Sequence, residues 1–313
     1  MAERRLVLIG LGLAGLSALY LAWGLRAPYG FILGLRAEKL AALIVVGAAA
    51  GAATVLFQAA SANRLLTPGI VGFDALFAFV QTALVLIMGG AGYATLPALA
   101  QFGAEAAILA GAGTLLFGLL LRRGAEDVLR MILTGVILGV LLRGLAGFAA
   151  RLLEPSEYAV VQQLSFASFT GIDGTQLAIA ATLLVLALIG AQRLAPALDV
   201  AGLGRTTARA VGLEHTRIVL AALLLVALMV AISTALVGPI TFLGLLAASL
   251  AHALLGTGRH RLLLPAASLL GAGVLVAGQT LFERAFGLQS TLAVVVELLG
   301  GLLFLALVLR RER

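Results

Sequence analysis

Apolar runs of about twenty residues follow one another along almost the whole chain, and they restrict its fold more than any other feature. A run of that length with few charges crosses the hydrocarbon core of a bilayer as a helix. The chain of 313 residues is 62% hydrophobic and 11% charged, which is too little charge to cover the surface of a soluble domain. We therefore predict an all-α membrane protein with one transmembrane domain over residues 1–313.

Ten spans are predicted, with approximate edges. Residues 239–256 are short for a span, and residues 152–174 are polar enough to form an interfacial or re-entrant helix instead. The first run follows Arg4 and Arg5, as in a signal peptide, but we interpret it as a retained helix because no small-residue cleavage site precedes the next span. The predicted spans are 6–25, 39–60, 69–88, 95–121, 129–150, 175–194, 216–237, 239–256, 262–281 and 290–309.

The basic residues predict the orientation of these spans. An even number of spans puts both termini on one side, and with the N-terminus inside, fifteen of the 21 Lys and Arg residues fall in inner segments. This excess agrees with the positive-inside rule, so we predict a multi-pass membrane protein with both termini in the cytoplasm. The six basic residues assigned to the outer side are Arg26, Arg36, Lys39, Arg143, Arg151 and Arg284.

The sequence contains no nucleotide-binding or metal-binding motif in the structural context that such a motif needs. Gly10, Gly12 and Gly15 have dinucleotide-binding spacing, but the apolar run continues through them and no β/α alternation follows. A P-loop needs a lysine after glycine, and the single lysine, Lys39, follows Glu38. There is no cysteine and there are only three histidines. We expect no metal or cofactor on this chain, no nucleic-acid partner and no enzymatic activity of its own.

The stretch LDVAGLGRTTARAVGLEHTR, residues 198–217, is a polar segment between two predicted spans on the cytoplasmic side. Residues 206–211 are long enough for one and a half helical turns, Asp199 and the Thr206–Thr207 pair offer capping groups, and Gly212 suits a helix end. One interpretation is a loop anchored by positive charge, and the other is a short docking helix. The charges are Arg205, Arg209 and Arg217, and the apolar side is Leu203, Ala208, Val211 and Leu213.

Two other polar regions are open to a structural or a functional interpretation. In residues 58–79, Pro68–Gly69 breaks a helix, and this is either a tight connection or broken backbone lining a cavity, where Asp74 would face protein or water. On the outer side, Arg36 and Lys39 share a helix face and Arg284 precedes the last span; they are either solvated charges or a landing site for an acidic partner. The polar residues of 58–79 are Gln58, Asn63, Arg64, Thr67 and Asp74.

These residues make the chain resemble, over nearly its whole length, the ten-helix permease subunits of ABC importers for ferric siderophores and vitamin B12. A basic motif opens span 2, here Arg36-Ala37-Glu38-Lys39, and the forms NRLLTPGIVGFDAL and TFLGLLAASLAH resemble the catechol-type siderophore branch. Departures from the family pattern are Arg64, Leu66, Gln279, the residues Ala248, Ser249 and His252, and the sequence LQSTLAVVVE before the end. Matching positions are Gln58, Asn63, Leu65, Pro68, Gly72, Gly238, Ile240, Phe242, Gly244, Leu245 and, at the family's terminal glycine, Gly300.

The resemblance implies a transport mechanism and a set of partners. Two permease copies, identical or different, would pair around a translocation path, with two ATPase subunits below that bind ATP and Mg, and a periplasmic or lipid-anchored substrate-binding protein above. Residues 199–213 would couple to the ATPase, chiefly through Arg205, Thr206, Ala208, Arg209 and Gly212. Arg36, Lys39 and Arg284 would dock the binding protein, and Gln58, Asn63, Pro68, Gly72 and Asp74 would belong to the path or its motif. The expected activity is import of a ferric siderophore by alternating access.

Alternative functions remain at this point. An ion-coupled secondary transporter needs an acid or ion site at mid-membrane, often on related broken helices, whereas here the acids Asp74, Glu105 and Glu297 are scattered and favour structural roles over proton binding. A membrane-embedded enzyme would need a convergent catalytic set, which the sequence does not offer. Within the permease class, vitamin B12 or haem is the alternative cargo.

Overall fold

The computed structural model describes residues 2–25, 27–122, 128–285, 287 and 292–310, and these residues form helices and connections without any strand. Two five-residue π-helical turns, Gly69–Phe73 and Leu281–Ala285, adjoin α3 and α12. The helices are α1 Ala2–Ala22, α2 Tyr29–Ala60, α3 Asp74–Met88, α4 Gly90–Ala94, α5 Ala98–Arg122, α6 Val128–Ala150, α7 Pro155–Leu164, α8 Gly174–Ala201, α9 Arg205–Ala210, α10 His215–Val237, α11 Leu243–Leu255, α12 His260–Thr280 and α13 Leu292–Arg310.

Every predicted span corresponds to a helix. In the described part of the chain, eight helical segments are long and apolar enough to cross a membrane, and two shorter apolar ones, Leu243–Leu255 and Val294–Leu305, account for the remaining two predicted spans. The polar region 152–174 contains only the ten-residue α7. The main difference is α2, which begins at Tyr29, ten residues before the predicted edge. Its charged turn stays helical because Arg36 is buried and hydrogen-bonded.

Helix α2 occupies the centre of the bundle and α1 lies at its edge. In their most apolar stretches, 83% of the residues of α2 are buried, against 6% for α1. The closest backbone approach to α2 is made by α12, where a Cβ on Gly271 would lie 2.1 Å from the carbonyl oxygen of Gly47. A Cβ on Gly51 would lie equally close, at 2.1 Å, to the carbonyl oxygen of Ala267. Glycine therefore lets the two backbones touch, and such close packing stabilises helix pairs in lipid, where no hydrophobic effect does.

Two breaks in the helical chain meet beside the middle of α2. One comprises residues 61–73, between α2 and α3, and the other comprises residues 238–242, between α10 and α11. Gly238 leaves α10 with φ +97°, a left-handed conformation that favours glycine. A Cβ on Gly244, at the start of α11, would lie 2.0 Å from Oγ1 of Thr54 on α2. Both α3 and α11 therefore start in the interior of the protein, where they flank a small polar pocket.

Candidate functional site

The segment between α8 and α10 folds as a short, sharply ended helix. Helix α9 runs from Arg205 to Ala210, and the chain leaves it through Gly212, whose φ is +81°. The amide of Leu213 donates to the carbonyl of Ala208 and the amide of Gly212 donates to that of Arg209, both at 2.9 Å. This pair of bonds is a Schellman motif, so Gly212 ends the helix as the sequence predicts. The helix start differs: Gly204 precedes it and no side chain caps it, so Thr206 and Thr207 lie inside the first turn.

Ala208 anchors α9, Arg205 is partly buried, and the other predicted coupling residues face outward. Ala208 is fully buried against the protein, while Thr206, Arg209 and Gly212 are exposed. Leu203 and Val211 are each 67% exposed, so the predicted apolar side is divided between an inner anchor and two uncovered side chains. A shallow depression at the end of α9 is bordered by Arg209, Gly212, Leu213, Glu214, His215 and Thr216.

Asp199 caps a different helix from the one predicted. Its Oδ1 accepts a hydrogen bond of 2.9 Å from the backbone amide of His260, the first residue of α12, and lies 2.6 Å from Nδ1 of the same histidine. A carboxylate at a helix N-terminus is also favoured by the helix dipole. The prediction that Asp199 caps the docking helix is therefore wrong, because its partner lies 61 residues away in sequence. The contact joins the end of α8, just before α9, to the start of α12.

At the opposite end of α12, the three predicted outer basic residues come together around an acid that the sequence analysis overlooked. Lys39 forms an ion pair with Glu283, and Nη2 of Arg284 lies 4.0 Å from the same carboxylate. Gln279 donates to Oε1 of Glu283 at 2.7 Å and the Tyr20 hydroxyl donates to Oε2 at 3.3 Å. The Arg284 guanidinium also lies 5.9 Å from the centre of the Tyr20 ring, within cation–π range.

Arg36 belongs to this group but has a structural task. It is 8% exposed and donates to the carbonyls of Leu21, Trp23 and Gly24 at 2.8, 3.0 and 3.0 Å. These carbonyls lie at and beyond the end of α1, where no helical amide remains to satisfy them. Arg36 thus fixes the end of α1 and faces away from solvent, whereas the side chains of Lys39 and Arg284 keep 16% and 22% of their surface exposed. Its predicted docking role stays untested.

The motif residues of the first chain break hold an irregular loop. Gln58 donates to the carbonyl of Arg64 at 2.6 Å, and Oδ1 of Asn63 accepts from the amide of Leu65 at 3.0 Å. After Pro68 the chain makes its π turn, in which Gly72 has φ +115°. A Cβ on Gly72 would lie 3.2 Å from the carbonyl oxygen of Gly135 on α6. Glycine is therefore required there by conformation and by space.

Asp74 connects the two chain breaks. Its Oδ2 accepts a hydrogen bond of 2.6 Å from the hydroxyl of Thr241 in the second break. The polar pocket between them is also bordered by Thr54, Ser233 and Thr234. The acid therefore faces protein and a cavity, in agreement with the expectation for a carboxyl group at this depth.

Of the other two predicted acids, Glu105 lies elsewhere. Glu297 lies near Asp74 and contacts the backbone of Thr241, so Glu297 and Asp74 are less scattered than expected. Glu105 is 5% exposed and accepts a hydrogen bond from the hydroxyl of Tyr93, which also lies 3.0 Å from Oε1 of Gln81. Burial and the nearby carboxylate raise the pKa of Tyr93, so its hydroxyl keeps the proton that it donates. Glu297 is partly exposed on α13. Among the described residues, no group of three or more His, Asp or Glu side chains could hold a metal ion.

Comparison with known proteins gives a consistent result. A model of the FecCD transport family matches residues 9–310. The chain is 32% identical to the petrobactin import system permease protein YclO of Bacillus subtilis (strain 168), over 98% of this chain and 97% of that protein. It is 30% identical to the ferric enterobactin transport system permease protein FepG of Escherichia coli (strain K12), over 89% of this chain and 82% of that protein.

A solved structure supports the same fold. A protein described as a metal-chelate type ABC transporter in an inward-facing conformation superposes with a TM-score of 0.85 and 21% sequence identity. The superposition covers 98% of this chain and 99% of the other. Since the family model spans nearly the whole chain and a relative 32% identical matches 98% of it, this all-helical, multi-pass membrane protein belongs to the FecCD transport family.

Proposed function

We propose that this chain is the permease subunit of an ATP-driven importer that moves a ferric siderophore across the inner membrane by alternating access. The observation that carries the proposal is α9: a six-residue helix with a buried anchor and an exposed outer surface, held between two membrane helices. A short rigid helix of this kind suits docking on a separate ATPase subunit. The relatives named above are petrobactin and ferric enterobactin permeases, which supports a siderophore as cargo.

The proposed orientation follows from the distribution of basic residues. The end of the bundle that carries α9 and both termini would face the cytoplasm, where two ATPase subunits bind ATP and Mg. The end that carries Lys39, Glu283 and Arg284 would face a periplasmic or lipid-anchored substrate-binding protein. A second permease copy, the same or a sibling chain, would complete the translocation path. Lipid or that second copy would cover the apolar side chains left exposed on α1, α6 and α13, which include Leu11, Ile137 and Leu302.

The contacts around α9 suggest how its movement reaches the rest of the bundle. When the ATPase subunits close, α9 would move with the end of α8, and Asp199 would carry that displacement to the start of α12 through His260. Helix α12 packs backbone to backbone on the central α2, and α2 borders the pocket where the two chain breaks meet. The breaks are the places where the chain can bend without breaking helical hydrogen bonds, so we assign the gating movement to them.

Transport of an intact chelate makes few chemical demands on the permease. The iron of a siderophore is already saturated by the chelate's own ligands, so the path needs space and polar contacts and no metal cage. Vitamin B12 or haem would make similar demands and is the alternative cargo.

Reconstitution decides between this function and an ion-coupled one. The permease is placed in liposomes with its ATPase, the binding protein is added outside with radiolabelled ferric chelates, and ATP is enclosed. We expect uptake that needs all three proteins and stops when the ATPase carries a substitution that prevents hydrolysis. Uptake by the permease alone, driven by a proton or sodium gradient, would refute the proposal.

A further inference from the structure

Glu283 already occupies the basic residues that would receive an acidic partner. Its carboxylate takes part in an ion pair with Lys39 and lies 4.0 Å from Arg284, and Gln279 and Tyr20 hold it in place. The exposed fraction of its side chain is 14%. All these residues except Tyr20 lie on α2, on α12 or in the π turn that follows α12.

The cluster is open to the outside on one side. A surface depression beside it is bordered by Ile32, Leu35, Arg36, Glu283, Arg284 and Gly287. An acidic side chain from a docked protein could therefore approach Arg284 and Glu283 from this depression, and Lys39 is paired with the same Glu283 carboxylate. The incoming acid would compete there with the carboxylate that the chain itself supplies.

We propose that Glu283 is an internal counter-ion which an acidic side chain of the substrate-binding protein displaces from Lys39 when it docks. This inference rests on the proposed importer function and adds a regulatory element to it. In the undocked permease, Glu283 offsets the charge of Lys39, which would otherwise have no ion-pair partner near the membrane among the described residues. Docking exchanges one carboxylate for another, so capture is weaker than the basic residues alone would give, and the binding protein is released more readily after delivery.

The decisive experiment removes the internal carboxylate and measures docking. The permease–ATPase complex is held in lipid nanodiscs, the substrate-binding protein encoded with it is passed over, and association is followed at several salt concentrations. Glu283→Gln should raise the association rate at low salt roughly five- to tenfold, with a steeper salt dependence, because charges at an interface act mainly on encounter. Glu38→Gln is the matched control, since Glu38 lies on the same end of α2 and is exposed, and it should change the rate less than twofold.

A double substitution separates the counter-ion from a general effect of charge. Lys39→Met should slow association, and adding Glu283→Gln to it should restore little, because the group that Glu283 neutralises has gone. Glu283→Asp keeps the charge but shortens the reach to Lys39, and it should give an intermediate gain. The melting temperature of each variant shows whether the fold is retained.

The lysine also provides a chemical measurement that needs no partner. Lys39 is the single lysine in the chain. Apart from the N-terminus, it is therefore the one amine that an acylating reagent can modify. Glu283→Gln should make its acylation several times faster in the purified permease, because the amine loses its counter-ion. Glu38→Gln should leave that rate unchanged.

The outcomes are distinguishable. If Lys39→Met slows docking but neither Glu283 variant speeds it, the counter-ion proposal is overturned while the docking site stands. If Lys39→Met leaves docking unchanged while ATP-driven uptake is present, both the docking site and this inference are overturned and the importer function survives. Absence of ATP-driven uptake in liposomes would overturn the function and, with it, this inference.

Discussion

Replacing Gly212 tests whether the geometry of α9 matters for coupling. Gly212 has φ +81°, and a left-handed conformation costs an L-residue with a side chain about 1–2 kcal/mol. Gly212→Val places a β-branched residue there, so we expect a local cost at the upper end of this range. No heavy atom outside the adjacent residues lies within 4 Å of the added Cβ, so the expected effect comes from conformational strain and not from a clash at Cβ. A cost of about 1–2 kcal/mol lowers the population of the sharply ended helix by about five- to thirtyfold relative to a frayed form, and valine should lie near the larger value.

The consequence is visible in coupling and not in folding. Gly212→Val should assemble less well with the ATPase and should lose most of its substrate-stimulated ATP hydrolysis and uptake, while the melting temperature of the permease stays within a few degrees. Gly212→Asn should retain most of the activity, because asparagine tolerates this conformation. Gly258→Ala is the matched control: Gly258 is exposed in the connection just before α12, has no positive φ and has open space around it, so it should behave as the wild type.

Two results would refute this reasoning. Equal ATPase stimulation and uptake by Gly212→Val and the wild type would show that the end of α9 carries no coupling. A loss of the same size in Gly258→Ala would show that any change on this surface impairs assembly. ATPase stimulation and uptake are measured in the same liposome preparation, so the amount and the orientation of each variant are controlled together.

Three further substitutions probe other contacts. Asp199→Ala removes the acceptor at the start of α12 and should cost about 1 kcal/mol of stability. It should also lower uptake per ATP hydrolysed, as measured by parallel uptake and ATPase assays. Arg36→Met leaves three carbonyls at the end of α1 without donors and should cost about 2–3 kcal/mol in thermal unfolding, with a smaller effect on binding-protein docking than Lys39→Met. Gly271→Val drives a side chain into the carbonyl of Gly47 and should give little folded protein in detergent extracts, whereas Gly273→Val, in open space on the same helix, should fold.

The fold was largely predictable because hydrophobicity and span length are local signals. Each apolar run became a helix, and the short run at 239–256 became the short α11. The start of α2 was misplaced because a charged turn containing Arg36 looked like the end of a membrane segment. The structure keeps that turn helical by giving the guanidinium three backbone carbonyls, and these belong to residues that lie 12 to 15 positions earlier.

The candidate sites were predictable only as far as their signals were local. Gly212 was recognised as a helix end because glycine after a short polar helix is a local pattern, and the Schellman bonds confirm it. Glu283 was missed because its significance arises from Lys39, which lies 244 residues away. Asp199 was assigned to the wrong helix for the same reason. The sequence shows that this carboxylate can cap a helix, but it does not show which helix N-terminus lies next to it. The one local signal for the outer cluster was that an acidic residue, Glu283, directly precedes Arg284.

The glycine contact between α2 and α12 has a mechanical consequence. Two helices whose backbones touch through Gly47, Gly51 and Gly271 have little room to slide past each other, since a side chain at any of these contacts would collide with the opposite backbone. Helices α2 and α12 therefore move together as one rigid body. A conformational change must therefore move the other helices relative to this rigid pair. The glycine contact between α2 and α12 thus determines which parts of the transporter are free to open.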